Sequence, residues 1–166
     1  IYTAGGGVAA PTVTASTANL ASNATTLTIN GTGFSTTPGN NTVVFNNGAV
    51  GTVTAATATE LTVTFSTQPT TFGGLTAVVT NGGGSSGTAV QVATVSNIIA
   101  TLTGGALTIT DVANGDDTLS ISESAGNLVI GANAGSVISS NAGTGSGTNS
   151  VSIPLSSITG LITVNA

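Results

Sequence analysis

Residues 26–34 read TLTINGTGF, and residues 40–51 read NNTVVFNNGAVG. In both stretches threonine or another β-prone residue alternates with apolar residues before the chain reaches an Asn-Gly pair. Alternation with a period of two is typical of a half-buried β-strand, and Asn-Gly tolerates the positive φ angles of tight turns. A dinucleotide-binding loop needs a following helix, and a phosphate-binding P-loop needs a lysine. The chain has no lysine, so the sequence around Gly31 and Gly33 predicts a strand that runs into a turn.

Short β-prone segments bounded by turn residues recur through the first half of the chain. We predict strands within residues 11–15, 25–31, 41–47, 59–65, 74–82 and 88–94. Because successive side chains of a strand point to opposite faces, the alternation predicts which residues face the core. These are Leu27, Ile29, Leu61, Val63, Phe65, Leu75, Ala77 and Val79. Turns are predicted at Asn30-Gly31, Asn47-Gly48 and Asn81-Gly82. The pattern favours an all-β sandwich with little helix.

The motifs of this half resemble a known family. LTINGTGF, NTVVFNNG, ATATELTVTF, LTAVVTNGGGSS and AVQV, read in order along the chain, are similar to the IPT/TIG domain. That resemblance covers residues 11–95 and implies an immunoglobulin-like β-sandwich with a spacer or interaction role. The family occurs in receptors, bacterial surface proteins and some transcription factors. Its DNA-contacting members use basic loops, and this chain has none.

The character of the sequence changes after Val95. LTITD, GDDTL and GNLVI in residues 107–130 resemble the Gly-Asp-Thr-rich β-repeats of large bacterial secreted and cell-surface proteins. We therefore expect three parts: a flexible N-terminal arm at 1–10, an immunoglobulin-like domain at 11–95, and a second small β domain at 96–166, either a sandwich or a β-roll. Without an initiator Met, the chain reads as a mature or excised piece.

The composition excludes several classes of function. The chain has 166 residues with Lys+Arg 0, His 0 and Cys 0, and its formal net charge is -5. No side chain can neutralise a phosphate backbone, so nucleic acid and anionic membranes are poor partners. The usual general base for Ser or Cys nucleophiles is missing, which indicates a protein that is not an enzyme. A chain without sites for trypsin-like proteases suits an extracellular or cell-surface location, and no apolar run is long enough for membrane insertion.

Four of the five carboxylates lie in a short segment of the second half. They are Asp111, Asp116, Asp117 and Glu123, and no cation in the sequence can pair with them. Calcium, which takes six to eight oxygen ligands, is the metal that this cluster would bind, with Asn114 as a further ligand. Residues 114–119 also partly fit a calcium-binding nonapeptide repeat, although Val112 and Ala113 stand where that repeat has two glycines.

Two other interpretations of the acidic segment stay open. The first is a solvated turn held by hydrogen bonds from Asn114 or Asp116 to nearby backbone. The second is a hydrolase, which would need two carboxylates about 5–10 Å apart across a cleft. Neighbouring residues of an extended chain diverge to opposite faces, and this disfavours Asp116 and Asp117 as such a pair.

The lack of charge also bears on assembly. Exposed sheet edges normally carry charges, above all Lys, that discourage pairing with another chain. We expect self-association into a homopolymer in which Ile1, Tyr2, Thr3 and Ala4 form an arm that completes a neighbour's sheet, as in donor-strand pairing. The chain would then be a subunit of a surface fibre, or a link in a long adhesin. The alternative is a module that binds glycan, protein or a neighbouring cell surface through loops 35–41 and 82–87.

Overall fold

The computed structural model describes residues 9–113 and 117–165, and the fold of these residues is all-β. The first half contains nine strands: β1 Thr12–Val13, β2 Asn19–Ala21, β3 Thr26–Thr32, β4 Thr42–Phe45, β5 Val50–Ala56, β6 Glu60–Thr67, β7 Gly73–Asn81, β8 Gly84–Ser85 and β9 Val90–Ser96. The second half contains seven: β10 Ile98–Thr103, β11 Ala106–Asp111, β12 Ser120–Ser124, β13 Asn127–Gly131, β14 Ile138–Ser140, β15 Ser150–Pro154 and β16 Ile162–Asn165. Single-turn 3-10 helices occur at Pro38–Asn40 and Leu155–Ser157. No α-helix occurs in the described residues, as the sequence predicts.

The described residues divide into two compact units. The first comprises the chain up to Ala18, Ala24–Pro69 and Leu75–Ala93. The second comprises Asn19–Asn23, Thr70–Gly74 and the chain from Thr94 onward. The domain boundaries proposed from the sequence stay a prediction.

The first unit is a β-sandwich. One sheet has the strand order β1-β3-β6-β5, and the other contains β9, β7 and β4, with β8 added to β7. All eight side chains that the alternation assigned to the core are buried, which confirms the predicted faces of β3, β6 and β7. The threonines between them are exposed or half-buried. Phe45 of β4 and Phe65 of β6 pack between the sheets, with ring centroids 5.5 Å apart.

One of the three predicted turns is wrong. Asn30 and Gly31 lie inside β3, where Gly31 pairs with Val13 of β1. A Cβ at Gly31 would collide with the Thr12 carbonyl oxygen and the Phe34 ring, so the glycine permits close packing of strands. The chain turns only after this strand, at Gly33 with φ 72°.

The other two predicted turns are present. Asn47 and Gly48 have φ angles of 54° and 69°, the combination that a type I′ turn requires. At the third site, Asn81 ends β7 and pairs with Gly84, so that Gly82 and Gly83 form the two-residue loop to β8.

The second unit contains two further sheets. The larger has the order β14-β10-β11-β16, in which β14 runs parallel to β10 and β16 parallel to β11. The smaller is the antiparallel sheet β12-β13-β15. In the same unit, β2 pairs in parallel with residues 94–96 of β9. The buried core that the four-stranded and the three-stranded sheet share consists of Ile98, Ala100, Leu107, Ile109, Leu128, Ile130, Ile138, Val151 and Ile153.

Candidate functional site

The acidic segment of the second unit lies partly within the described residues. Asn114 and Asp116, two of the proposed calcium ligands, lie outside them. Asp111 ends β11, and its Oδ1 accepts a hydrogen bond from the Ala113 N–H at 2.9 Å. That contact is a local turn hydrogen bond of the Asx type, while the bonds from Asn114 or Asp116 that the solvated-turn interpretation names lie outside the described residues.

Asp117 has two strong hydrogen-bond donors. Asn97 Nδ2 donates to Asp117 Oδ2 at 2.6 Å, and Ser136 Oγ donates to Asp117 Oδ1 at 2.6 Å. Hydrogen bonds to an ionised acceptor are about twice as strong as neutral ones. The carboxylate is therefore stabilised by polar donors in a chain that has no cationic side chain.

Asn97 joins this carboxylate to the backbone of the unit. Its side chain is fully buried, and its Oδ1 accepts a hydrogen bond from the Val137 N–H at 2.7 Å. The backbone carbonyl of Asn97 accepts from the Val112 N–H at 2.8 Å. Buried amides are stable only when their donors and acceptors are paired, and Asn97 meets that condition. We name Asn97, Asp117 and Ser136 the polar cluster.

Glu123 lies on strand β12, whereas the three residues of the polar cluster lie in connections between strands. It is the fourth residue of β12, a strand whose five residues are all exposed, and it pairs in register with Leu128. Among the described residues, no group of three acidic side chains is close enough to hold a metal ion. Asp111, Asp117 and Glu123 therefore do not form a calcium site by themselves, and calcium binding with Asn114 and Asp116 stays a prediction.

The loops assigned to ligand binding meet in the first unit. Ser35 and Asn40 of one loop line a cavity of about 340 Å³ together with Asn81 and Gly82 at the start of the other. Internal hydrogen bonds fix the first loop, since Asn41 Oδ1 accepts from the Ser35 N–H at 2.9 Å. This rim is neutral and polar.

A second cavity of about 320 Å³ lies beside the first loop. Its lining is formed by Pro38, Gly39, Asn41, Thr42, Val43, Gly51, Thr52 and Val53.

Buried aromatic side chains argue against a sugar-stacking surface. Phe34 and Phe65 are buried, and Phe45 packs on Phe65. These packed rings contribute to the core of the first unit. Tyr2, with the rest of the proposed arm Ile1, Thr3 and Ala4, lies outside the described residues.

The exposed apolar side chains follow a clear pattern. Among the described residues, the large hydrophobic side chains that remain exposed are Val44, Val50, Ile121, Leu161, Ile162 and Val164. Each lies on or next to a strand at the edge of its sheet, namely β4, β5, β12 or β16. The sequence singled out none of these residues, because the edge position of a strand depends on sheet order.

Comparison with known families identifies the first half. The family model described as IPT/TIG domain matches residues 11–95, just over half of the chain. This chain belongs to the IPT/TIG family. IPT/TIG domains are immunoglobulin-like and occur in adhesion and cell-surface proteins, and the sandwich of β3, β6 and β7 agrees with that fold.

The IPT/TIG match ends at residue 95, and the resemblance of the second half to Gly-Asp-Thr-rich repeats stays a prediction. Neither the comparison with curated proteins nor that with solved structures found a match. In residues 9–113 and 117–165, no helix has the length and apolar character that a membrane span requires.

Proposed function

We propose that this chain is a non-enzymatic structural protein of the cell exterior that self-associates through its sheet edges. It would serve as the subunit of a surface fibre or as a link in a long adhesin. The observation that carries the proposal is the location of its exposed apolar side chains, which lie on or beside edge strands. Membership of a family found in adhesion and cell-surface proteins supports the same role.

The edge strands also lack the charges that normally prevent pairing. Across the edge strands β1, β2, β4, β5, β12, β14, β15 and β16, Glu123 is the only charged side chain. An edge strand has unpaired N–H and C=O groups, and soluble proteins usually protect them with charge, above all Lys. Exposed apolar side chains add a hydrophobic contribution to any strand that pairs there. These edges are suited to pairing between copies.

The test is the concentration dependence of the particle size. We expect the purified chain to change from particles of about 15.6 kDa to a regular filament as its concentration rises, observed by sedimentation velocity and negative-stain electron microscopy. A matched chain without residues 1–7 should assemble less. Particles that remain monomeric at every concentration would contradict the fibre proposal.

Calcium enters the same experiment as a separate variable. Filaments that fray when a chelator is added, and recover with calcium, would support a metal site at Asp111, Asn114, Asp116, Asp117 and Glu123. Filaments indifferent to the chelator would favour the hydrogen-bonded turn.

A binding module is the second candidate, and the cavity between the two loops favours it. Asn40 at the rim offers an amide group of the kind that recognises sugar hydroxyls or peptide backbone, whereas the Asn81 amide bonds to Gly33 and Gly83 and shapes the cavity wall. A glycan-array screen with wild type and Asn40→Ala tests it. Binding by a monomeric wild type that the substitution abolishes would favour this role over the fibre.

A further inference from the structure

The sandwich of the second unit is closed along one side. The chain between β14 and β15 hydrogen-bonds to both strands. Thr144 exchanges two 2.9 Å backbone bonds with Ser152 of β15, and the Ile138 N–H of β14 donates to the Thr148 carbonyl at 2.7 Å. This segment therefore covers the edges of both sheets.

The opposite side has no such cover among the described residues. The strands β14 and β15 contact each other, so the strand orders place β16 of the larger sheet and β12 of the smaller sheet at the other side. The larger sheet has four strands and the smaller has three. The larger sheet therefore extends beyond the smaller sheet by one strand, and that strand is β16.

Core-facing side chains on β16 remain exposed at this side. Ile162 and Val164 pair in register with Leu107 and Ile109 of β11, which are fully buried. Residues that pair directly lie on the same face of a sheet, so Ile162 and Val164 point to the core side. They are nevertheless 39% and 45% exposed, because no strand of the smaller sheet covers them.

The same relation holds on β12. Ile121 pairs with Ile130, which is fully buried, and both side chains therefore lie on the core face of the smaller sheet. Ile121 is 41% exposed. We name Ile121, Ile162 and Val164 the open side.

We propose that the open side accepts residues Ile1–Ala4 of a second copy as a fourth strand of the smaller sheet, paired with the free edge of β12. The inference rests on the proposed self-association and assigns its acceptor. The added strand would lie opposite β16 and cover Ile162 and Val164. Its backbone would pair with the N–H and C=O groups at the outer edge of β12.

Three properties of the arm fit this acceptor. Eight residues precede Ala9, and fully extended they reach about 26 Å. The four residues IYTA match β12, which has five residues, and β16, which has four. None of residues 1–8 carries a charged side chain, so the one side-chain charge beside the added strand would be that of Glu123, which pairs with the buried Leu128 on the same face of β12 as Ile121.

Because side chains of an extended strand alternate between its two faces, either face of the arm would present an apolar side chain to the open side. In an extended strand Ile1 lies on one face, and Tyr2 and Ala4 lie on the other. The sequence that follows has three consecutive glycines, Gly5 to Gly7, a composition used in tethers between segments.

The test is chemical cross-linking between single-cysteine variants of the full chain. The wild type has no cysteine, so every cross-link reports the introduced positions. Thr3→Cys is mixed with Ile121→Cys and treated with a short bis-maleimide. As matched controls, Thr3→Cys is mixed with Val44→Cys or Val50→Cys, which place the thiol on exposed edge positions of the first unit.

We expect the Ile121 pair to give a cross-linked dimer in roughly tenfold excess over either control, because the proposed acceptor keeps Ile162 and Val164 for the arm to cover, whereas the proposal places no arm beside Val44 or Val50. Preferential cross-linking at Val44 or Val50 would overturn the assigned acceptor and leave edge pairing intact. Absence of cross-links at all three positions, with a monomer in sedimentation, would overturn both proposals.

A double variant distinguishes pairing of the arm with a neighbouring copy from pairing of the arm within its own chain. In Thr3→Cys/Ile121→Cys, we expect cross-linked dimers and larger species. A product that runs as a monomer with an internal cross-link would overturn the second copy as the occupant.

Discussion

At the scale of single residues, the polar cluster shows how this chain stabilises a carboxylate without a cation. Asp117 accepts 2.6 Å hydrogen bonds from Asn97 and Ser136, and both donors are buried. Removing the carboxylate would leave Asn97 Nδ2 in the interior without its acceptor, whereas Ser136 Oγ would keep Asn133 Oδ1 as an acceptor at 2.9 Å. A buried donor without an acceptor lowers the free energy of unfolding more than the loss of an exposed hydrogen bond does.

Asp117→Ala should therefore destabilise the protein. We expect the free energy of unfolding to fall by about 1–3 kcal/mol, the cost of leaving a buried polar group unpaired. Urea unfolding followed by circular dichroism measures it. Glu60→Ala is the control, since Glu60 is exposed and should change stability by less than about 0.5 kcal/mol. Equal effects at the two positions would show that the polar cluster does not contribute to stability.

Gly31 provides a second test at this scale. Gly31→Ala would place a methyl group against the Thr12 carbonyl and the Phe34 ring, and overpacking of this kind costs about 1–3 kcal/mol. Gly39→Ala is the matched control, because a methyl group at that position would meet no atom within 4 Å. Thermal unfolding should show a lower Tm for the first variant only. An unchanged Tm for Gly31→Ala would mean that β1 can move away from β3.

At the scale of elements, strands with regular alternation could be predicted, and irregular strands could not. The faces of β3, β6 and β7 followed from a period of two. By contrast, β5 was missed because its register with β6 shifts between Val50 and Gly51 and again between Val53 and Ala55. Such irregularities interrupt the alternation of faces. The strands β2 and β8 have three and two residues, too few to show a period.

The polar cluster could not be predicted for a different reason. Asp117 was singled out as a carboxylate, but its partners Asn97 and Ser136 lie 20 and 19 positions away. No local motif indicates such pairs, because the β-sheet topology brings them together.

A lysine at the open side should oppose assembly. Ile162→Lys introduces a charge that would be desolvated beneath the added strand, while in the free protein the exposed position tolerates it. We expect loss of filaments in negative-stain microscopy with stability within about 0.5 kcal/mol of wild type. Val44→Lys, on the exposed edge strand β4, should retain them. The reverse result would place the contact between copies on the first unit.

At the scale of the whole molecule, charge opposes association. Every copy carries a formal net charge of -5 with no cationic side chain. Long-range electrostatic forces between copies are therefore repulsive, and in the proposed assembly hydrophobic contacts and backbone hydrogen bonds would have to overcome them.

Salt should therefore promote assembly. Raising NaCl from about 0.01 M to about 0.15 M shortens the Debye length from about 30 Å to about 8 Å and screens the repulsion. We expect the concentration needed for filaments to fall over this range, measured by sedimentation. Choline chloride at the same ionic strength should lower the concentration needed for filaments by the same amount. That result would attribute the effect to charge screening and not to binding of sodium. Assembly that weakens with salt would indicate an attraction between opposite charges and contradict self-association of this kind.

In the proposed assembly, the unequal sides of the second sandwich would also determine the polarity of the array. One side is covered by its own chain, while the other would accept one arm of a second copy. An array joined through that place has two unlike ends, one with an unused arm and the other with an unfilled acceptor. Growth at the two ends would then differ in rate, and a single molecule that fills the last acceptor without offering an arm would stop elongation there.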